Sequence, residues 1–417
     1  LTFGGRQLCS FPRPNLVSPD VYGQIGGVCR GIVRAIEKAE SRLGEELWDR
    51  VDLLPEEREL ARLDPGYARS SPLSRLDSFV TPSSYQYVEL NAETPAGSSY
   101  ADTLAEVFLE IPIVRRFQER WRLRPFQTGR RLLATLVGCY REAGGREEHP
   151  SIAVVDYEDV PTRVEHHMVR EYCESKGHPS LVCDPRHLTY EGGRLRHGDQ
   201  PIDIVYKRLL VNELLERRDE VRPLLEAARD GAVVFVNPFR CKPVLTKALG
   251  EVLTDDTLQG LFTGEEQAAI RAHVPWTRRV RESRTTHEGQ EVDLPDFILG
   301  RRDRLVMKPN DEYGGKGVFI GWEMADDEWT RALGEALGSS YVVQERVDVL
   351  REEFPVLAGE EGSDRGQLGF GDFVVDLDPY VFGGEVEGFL TRLSATSLAN
   401  VTSGAGQVPS FLVEPRP

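Results

Sequence analysis

Arg75-Leu76-Asp77-Ser78-Phe79-Val80-Thr81-Pro82-Ser83-Ser84-Tyr85-Gln86-Tyr87-Val88-Glu89-Leu90-Asn91 sets two β-prone runs, Leu76 to Val80 and Tyr85 to Leu90, on either side of a Thr-Pro-Ser-Ser turn. The pattern reads as a β-hairpin. Residues i and i+2 of a strand share a face, so Arg75 and Asp77 point together, as do Glu89 and Asn91. If the two strands pair, two carboxylates and an amide converge. Such an oxygen-only set suits Mg²⁺ in contact with substrate phosphates. A neighbouring arginine is then placed to hold charge developing on a phosphoryl group or an oxyanion. The same residues also read as a solvated hairpin face carrying an Arg/Asp surface pair.

A second stretch, Leu305-Val306-Met307-Lys308-Pro309-Asn310-Asp311-Glu312-Tyr313-Gly314-Gly315-Lys316-Gly317-Val318, runs from a strand ending in lysine through three glycines into another strand. Glycines bring bare N–H groups against phosphate oxygens, and Lys308 and Lys316 add point charges. A strand-loop-strand context excludes both a Walker loop and a dinucleotide fingerprint, which need a helix after the glycines. The alternative is a glycine-rich hairpin with two exposed lysines. Three further pieces are weaker. Asn237-Pro238-Phe239-Arg240 precedes Lys242 and Lys247 on an expected helix. Tyr341-Val342-Val343-Gln344-Glu345-Arg346-Val347 is an apolar strand ending in polar residues that could meet an adenine. Arg392, Ser394 and Asn400 lie near Gly404 and Gly406.

Working outward, apolar residues at three- and four-residue steps predict a helix over 21–49, and another is expected from Tyr100 to Trp121. From about Thr128 strands alternate with helices: helix 128–143, strand 152–156, helix 161–175, strands 180–183 and 202–206, helix 209–229 and strand 232–237. Such alternation favours a parallel sheet covered by helices. Helices are expected at 242–253, 264–272 and 326–337. Strands are expected at 304–308, 318–321, 341–345, 373–377 and 386–394. The polar, glycine-containing segment 351–371 reads as a mobile lid.

The 417 residues are enough for two or three domains, with 40% hydrophobic residues for their cores. Lys and Arg number 51 against 68 Asp and Glu, so the net charge is 51 − 68 = −17. That surplus argues against nucleic acid or an anionic membrane as partner. Six scattered cysteines without a CxxC pair read as reduced, buried side chains. Leu1 to Asp20 has no apolar signal-peptide core, and no apolar run is long enough for a membrane span. A cytoplasmic protein is expected. Asn400-Val401-Thr402 fits a glycosylation sequon by chance, and His166-His167 and His287-Glu288 lack metal-site spacing.

In order, the pieces resemble the circularly permuted ATP-grasp ligases, specifically the synthetase part of glutathionylspermidine synthetase. That family places an R-x-D motif about a dozen residues before E-x-N-A-[DE], as Arg75-Leu76-Asp77 stands before Glu89-Leu90-Asn91-Ala92-Glu93. Its turn before an N-K-A-L helix resembles Asn237-Pro238 leading to Thr246-Lys247-Ala248-Leu249. Its K-P strand with glycine loop resembles Lys308 to Gly317, and its Q-E hinge resembles Gln344-Glu345.

The resemblance implies an α/β (α+β) fold, a circularly permuted ATP-grasp with an inserted Rossmann-like pre-ATP-grasp α/β domain. Residues 1–127 and 241–417 would form the discontinuous catalytic region, and 128–240 the substrate domain. It makes Asp77, Glu89 and Asn91 ligands of Mg²⁺, and Arg75 the residue stabilising the phosphoryl group and acyl-phosphate. Lys247, Lys308, Gly314, Gly315, Lys316, Gly317, Gln344, Glu345 and Arg392 would bind ATP. The implied activity joins a small-molecule carboxylate to an amine through an acyl-phosphate, releasing ADP and phosphate. A kinase-like phosphotransferase and a non-catalytic nucleotide-binding protein are the alternatives, and a homodimer is compatible. A fused amidase activity is not expected, and no segment between the hairpin and Lys247 carries a substrate-recognition signature.

Overall fold

Helix Pro19–Leu43 begins where the Ser18 side chain accepts the Val21 N–H, with proline in the first turn, and ends at Gly44, whose φ of 55° leaves the helical region. The predicted helix 21–49 is therefore interrupted, and Glu45–Arg50 forms a separate short one. Its apolar stripe, Ile25, Cys29, Ile32 and Ile36, packs with Leu76 and Leu90 of the hairpin and with Phe389. The computed structural model describes residues 1–358, 367–397, 401 and 404–416.

Three sheets position the functional residues. The hairpin, Leu73–Val80 with Tyr85–Asn91, joins an antiparallel sheet through Gln367–Phe382, which continues through Glu385–Ser394 to Gly406–Val408. Leu350–Ala358 also pairs with Gln367–Phe382. Segment 350–358, most of which falls in the stretch read from sequence as a mobile lid, is thus a paired strand. The sequence hides this because the charges on the strand are cross-paired, Arg351 with Asp372 and Arg13 with Glu352, while Phe354 is buried against Phe11 and Val375. Part of the expected lid, 359–366, lies outside the described residues, as does Asn400.

The second sheet is parallel, with strands in the order Val234–Val236, Ile204–Lys207, Ile152–Val155, Ser180–Cys183. The third is antiparallel, in the order Thr277–Arg279, Tyr341–Glu345, Leu305–Pro309, Phe319–Ile320. Helix Thr128–Glu142 bridges the first two sheets: its Leu132 and Leu136 pack with Ile152, Val154 and Ile204 on one side and Tyr380 and Phe382 on the other. Among the described residues no helix is long and apolar enough to cross a membrane.

Proline and glycine divide other expected helices. Pro112 starts a new helix after Ser98–Glu110, and Trp121 then opens a strand paired with Ser410–Pro415. Pro223 lies in the first turn of Arg222–Arg229, separated from Val211–Glu216. Extended backbone at Thr246 splits the expected 242–253 helix into Lys242–Leu245 and Leu249–Thr254. Lys247 is consequently in a turn rather than on a helix.

Lys207 and Glu93, both fully buried, pair at 2.9 Å and tie the end of the hairpin to the parallel sheet. Glu93 also accepts the Val211 N–H at 2.7 Å. Removing one partner leaves a buried charge, so Lys207→Met is expected to cost about 3–5 kcal/mol, and adding Glu93→Leu to recover part of it. Urea unfolding of the single and double variants measures both.

Candidate functional site

The hairpin register sets Asp77 opposite Glu89 and Arg75 opposite Asn91, so four predicted residues occupy two rungs of one face, with the Leu76–Leu90 rung between them facing the other way. Strand Gln367–Phe382 lies beside them, with Tyr380 opposite Arg75, and strand Glu385–Ser394 places Arg392 opposite Asp376. The expectation of a solvated face does not hold, because Arg75 and Asp77 are both buried.

Asp77 is held on every side. Arg75 donates Nε to Oδ1 at 2.7 Å and Nη2 to Oδ2 at 3.0 Å. Asn91 Nδ2 donates to Oδ1 at 2.8 Å, and Arg392 Nη2 to Oδ2 at 3.0 Å. A carboxylate offers about four lone-pair positions, so these four N–H groups saturate it. Burial alone would raise its pKa, but Arg75 and then Arg392 outweigh burial and hold the Asp77 carboxyl down at about 2.

Arg392 also contacts Asp376 at 2.6 Å and Asp378 at 2.8 Å. Burial pushes both of these carboxyls up despite Arg392, Asp378 the further. Asp376 and Asp378 were missed from the sequence. The signal present was Val375-Asp376-Leu377-Asp378, two acids at i and i+2 in a strand that is otherwise apolar.

Glu89 is more open. Its side chain is 29% exposed, and Lys247 Nζ stands 3.5 Å away. Lys247 Nζ donates to the Glu312 carbonyl at 2.6 Å, and its turn is fixed to the glycine loop by Lys247 N to Asn310 O and Ala248 N to Asn310 Oδ1. Lys308 donates to Gln344 Oε1 at 2.9 Å. Burial lowers its pKa, with Glu89 opposing and Lys247 adding to the shift, so the two lysines and Glu89 share one field. Gly314, Gly315 and Gly317 have φ of 76°, 76° and 70°. A Cβ on Gly317 would stand 2.9 Å from Pro309 Cγ and 3.0 Å from Tyr341 Oη. Lys316 remains at solvent beside Glu312. Gln344 is buried, its amide also donating to Val88 O and Thr277 Oγ1, while Glu345 meets His287 at 2.9 Å.

Two cavities open from this cluster. One, of 300 Å³, is lined by Lys308, Gly315, Lys316, Gln344 and Glu345, with Val306 and Ile320. The other, of 370 Å³, is lined by Arg75, Asn91, Asp156 and Arg208. Asp77, Glu89, Lys247, Arg392 and the Glu312–Gly314 segment line both, so the two spaces meet at the charged cluster. Among the described residues no group of three or more His, Cys, Asp or Glu side chains has metal-binding geometry.

Comparison with known proteins gives fold and nothing finer. No protein-family model and no curated protein sequence matches the chain. A glutathione synthetase-like effector from Globodera pallida, in its apo form, is 12% identical and superposes with a TM-score of 0.58 over 97% of this chain and 90% of its own. A protein named as a gamma-glutamylcysteine synthetase from Methylobacillus flagellatus is 10% identical, covering 92% of this chain and 85% of its own, with a TM-score of 0.44. The first likeness extends over nearly the whole length, and the fold is of the ATP-grasp α+β type.

On the wall of the larger cavity burial raises the Asp156 pKa to about 7. His166 Nε2 lies 3.5 Å from Asp156, yet this is no charge pair, because burial and then Arg208 lower the histidine to about 2 and keep it neutral. Asp156 thus favours folding in its protonated form. Its contribution is complete below about pH 4 and is lost as pH rises through 7. Asp156→Asn is expected to gain stability relative to the parent by on the order of 1 kcal/mol or more between about pH 5 and 8. Denaturant midpoints at the two pH values measure the change.

Proposed function

We propose that the protein is an ATP-dependent carboxylate–amine ligase that forms an amide through an acyl-phosphate. The observation that carries this reading is the meeting of two cavities at Asp77, Glu89, Lys247 and Arg392. A phosphoryl group can pass from a nucleotide in one space to an acceptor in the other only if both reach a common, positively charged point. The motif order resembling glutathionylspermidine synthetase, the permuted chain order and the division into 1–127 with 241–417 and 128–240 belong to the same proposal.

ATP would occupy the smaller cavity, its base on the Gln344–Glu345 strand and its phosphates under Gly314, Gly315 and Gly317. Lys308 and Lys247 would carry the phosphate charge. The carboxylate oxygen of one substrate attacks the γ-phosphorus, the bond to the β-phosphate oxygen breaks, and ADP leaves. The amine then attacks the acyl carbon, phosphate departs with the bonding pair, and the amine proton is lost to solvent. Arg75 and Arg392 lie where the acyl-phosphate and the tetrahedral oxyanion would form, so their fixed charge favours both. No protein nucleophile takes part.

The donor set fits Mg²⁺, a hard cation that takes oxygen ligands. Glu89 offers a carboxylate free of arginine, and Asn91, whose Nδ2 faces Asp77, turns its carbonyl oxygen away from that carboxylate. Asp77 can ligate only by releasing one of its four N–H partners. The cation would supply charge neutralisation on the β- and γ-phosphates.

The test is an ADP-release assay on pooled carboxylates and amines. The proposal expects ADP and phosphate only when both pools are present, with an amide detected by mass spectrometry. ADP with a phosphorylated product and no need for amine would establish the phosphotransferase instead. Glu89→Ala is expected to abolish Mg²⁺-dependent ADP formation in a protein that still unfolds cooperatively; unchanged turnover removes Glu89 from the site. Lys308→Met is expected to weaken MgATP binding roughly 10- to 100-fold by calorimetry, the loss of a charged hydrogen bond.

A further inference from the structure

The parallel sheet has a feature the ligase reading does not use. Its first strand, Ile152–Val155, lies between its second, Ser180–Cys183, and its third, Ile204–Lys207. The chain therefore departs in opposite directions from the first strand, and the gap between first and third is where strand order reverses. In open parallel sheets ligands settle outside the carboxyl ends of the strands at that gap. The residues that follow the two flanking strands are Asp156 and Arg208, and both line the 370 Å³ cavity.

Around them, buried polar groups lack partners of the kind a protein interior normally supplies. Arg208 is only 5% exposed. Its Nη1 donates to Pro95 O at 2.9 Å and Tyr206 Oη at 3.1 Å, and Glu165 lies 3.6 Å from Nη2, but Nε has no hydrogen-bond partner among the described residues. Asn212 Oδ1 is likewise unpartnered, and the Tyr100 hydroxyl, approached by the Glu165 backbone, has no acceptor for its own proton among the described residues. Tyr100, Arg208, Asn212 and Asp156 all line this cavity. Two donors and two acceptors, Asn212 Oδ1 and the Glu165 Oε2 that stands 3.6 Å from Arg208 Nη2, are idle there beside the Asp156 carboxyl group. The complement is a molecule bearing a carboxylate and an ammonium close together.

We propose that this recess binds the α-amino-acid headgroup of the substrate, with Arg208 and Tyr100 on its carboxylate and Asn212 and Asp156 on its ammonium. The inference rests on the ligase reading and names the substrate class for it: an amino acid or peptide anchored by its free headgroup here, with the reacting group extending along the cavity to Arg75 and Arg392. Both charges of the headgroup are held in the recess, so neither is the group that reacts.

Three size-matched probes test this by saturation-transfer NMR on the full chain: L-norvaline, which has both groups, n-butylamine, which lacks the carboxylate, and pentanoate, which lacks the amine. Norvaline is expected to bind about tenfold or more tightly than either, since a site built to bond both groups rejects a ligand lacking one. Tyr100→Phe and Asn212→Ala should each weaken norvaline by about five- to tenfold. Their melting temperatures should change little, because the Tyr100 hydroxyl proton and Asn212 Oδ1 have no hydrogen-bond partner among the described residues. Butylamine or pentanoate binding as well as norvaline, no binding of any probe, or variants that bind like the parent would each overturn the proposal. MgATP titration of the same samples separates the two levels. Absent MgATP binding contradicts the ligase reading, while the norvaline series decides the recess independently.

Discussion

The carboxylate of Asp77 is the point on which the arrangement depends. It is buried, negatively charged, and fixed by two arginines and an asparagine from three strands. Burying such a charge is costly unless every lone pair is met, and here each one is. The result is a rigid knot between the hairpin and strand Glu385–Ser394 that holds Arg75 and Arg392 side by side. Two guanidiniums so placed would repel without the acids between them. Asp376 and Asp378 complete the balance, and burial pushes both of their carboxyls up.

This local balance reconciles an acidic protein with an anionic ligand. The chain carries a net charge of −17, which opposes long-range attraction of any polyanion. At the meeting of the two cavities, however, Arg75, Arg392, Lys247 and Lys308 gather around few free carboxylates. Field lines concentrate in such a cleft because its walls are poorly polarisable. Glu89, 3.5 Å from Lys247 and free of arginine, is the acid left available at that point.

How much of this was legible in the sequence follows from the range over which each signal acts. The hairpin was readable because its alternation and turn are local, and its register alone brought Arg75, Asp77, Glu89 and Asn91 together. The glycine loop was readable for the same reason. Asp376 and Asp378 were not, since an acid in a strand looks the same whether it faces water or a buried arginine. Only pairing with a strand some fifteen residues away, opposite Arg392, decides between them. Lys247 was placed on a helix because Thr246 gives no local sign that Asn310, 62 residues on from Ala248, would cap a turn there. Asp156 and Arg208 are 52 residues apart and become neighbours through parallel pairing, which leaves no mark in either segment. The breaks at Gly44, Pro112 and Pro223 were visible as residues, and apolar periodicity across them outweighed the signal. Paired charges on 350–358 concealed a strand in the same way.

The central claim is that a carboxylate is activated as an acyl-phosphate where the two cavities meet. Hydroxylamine intercepts acyl-phosphates whatever the natural amine, so it tests that step without knowledge of the second substrate. The protein would be incubated with MgATP, hydroxylamine and a pool of amino-acid and peptide carboxylates, and the products assayed as ferric hydroxamates alongside ADP. Hydroxamate formed in step with ADP, and lost in Glu89→Ala, is the predicted result. ADP formed with a stable phosphorylated product and no hydroxamate would contradict the account.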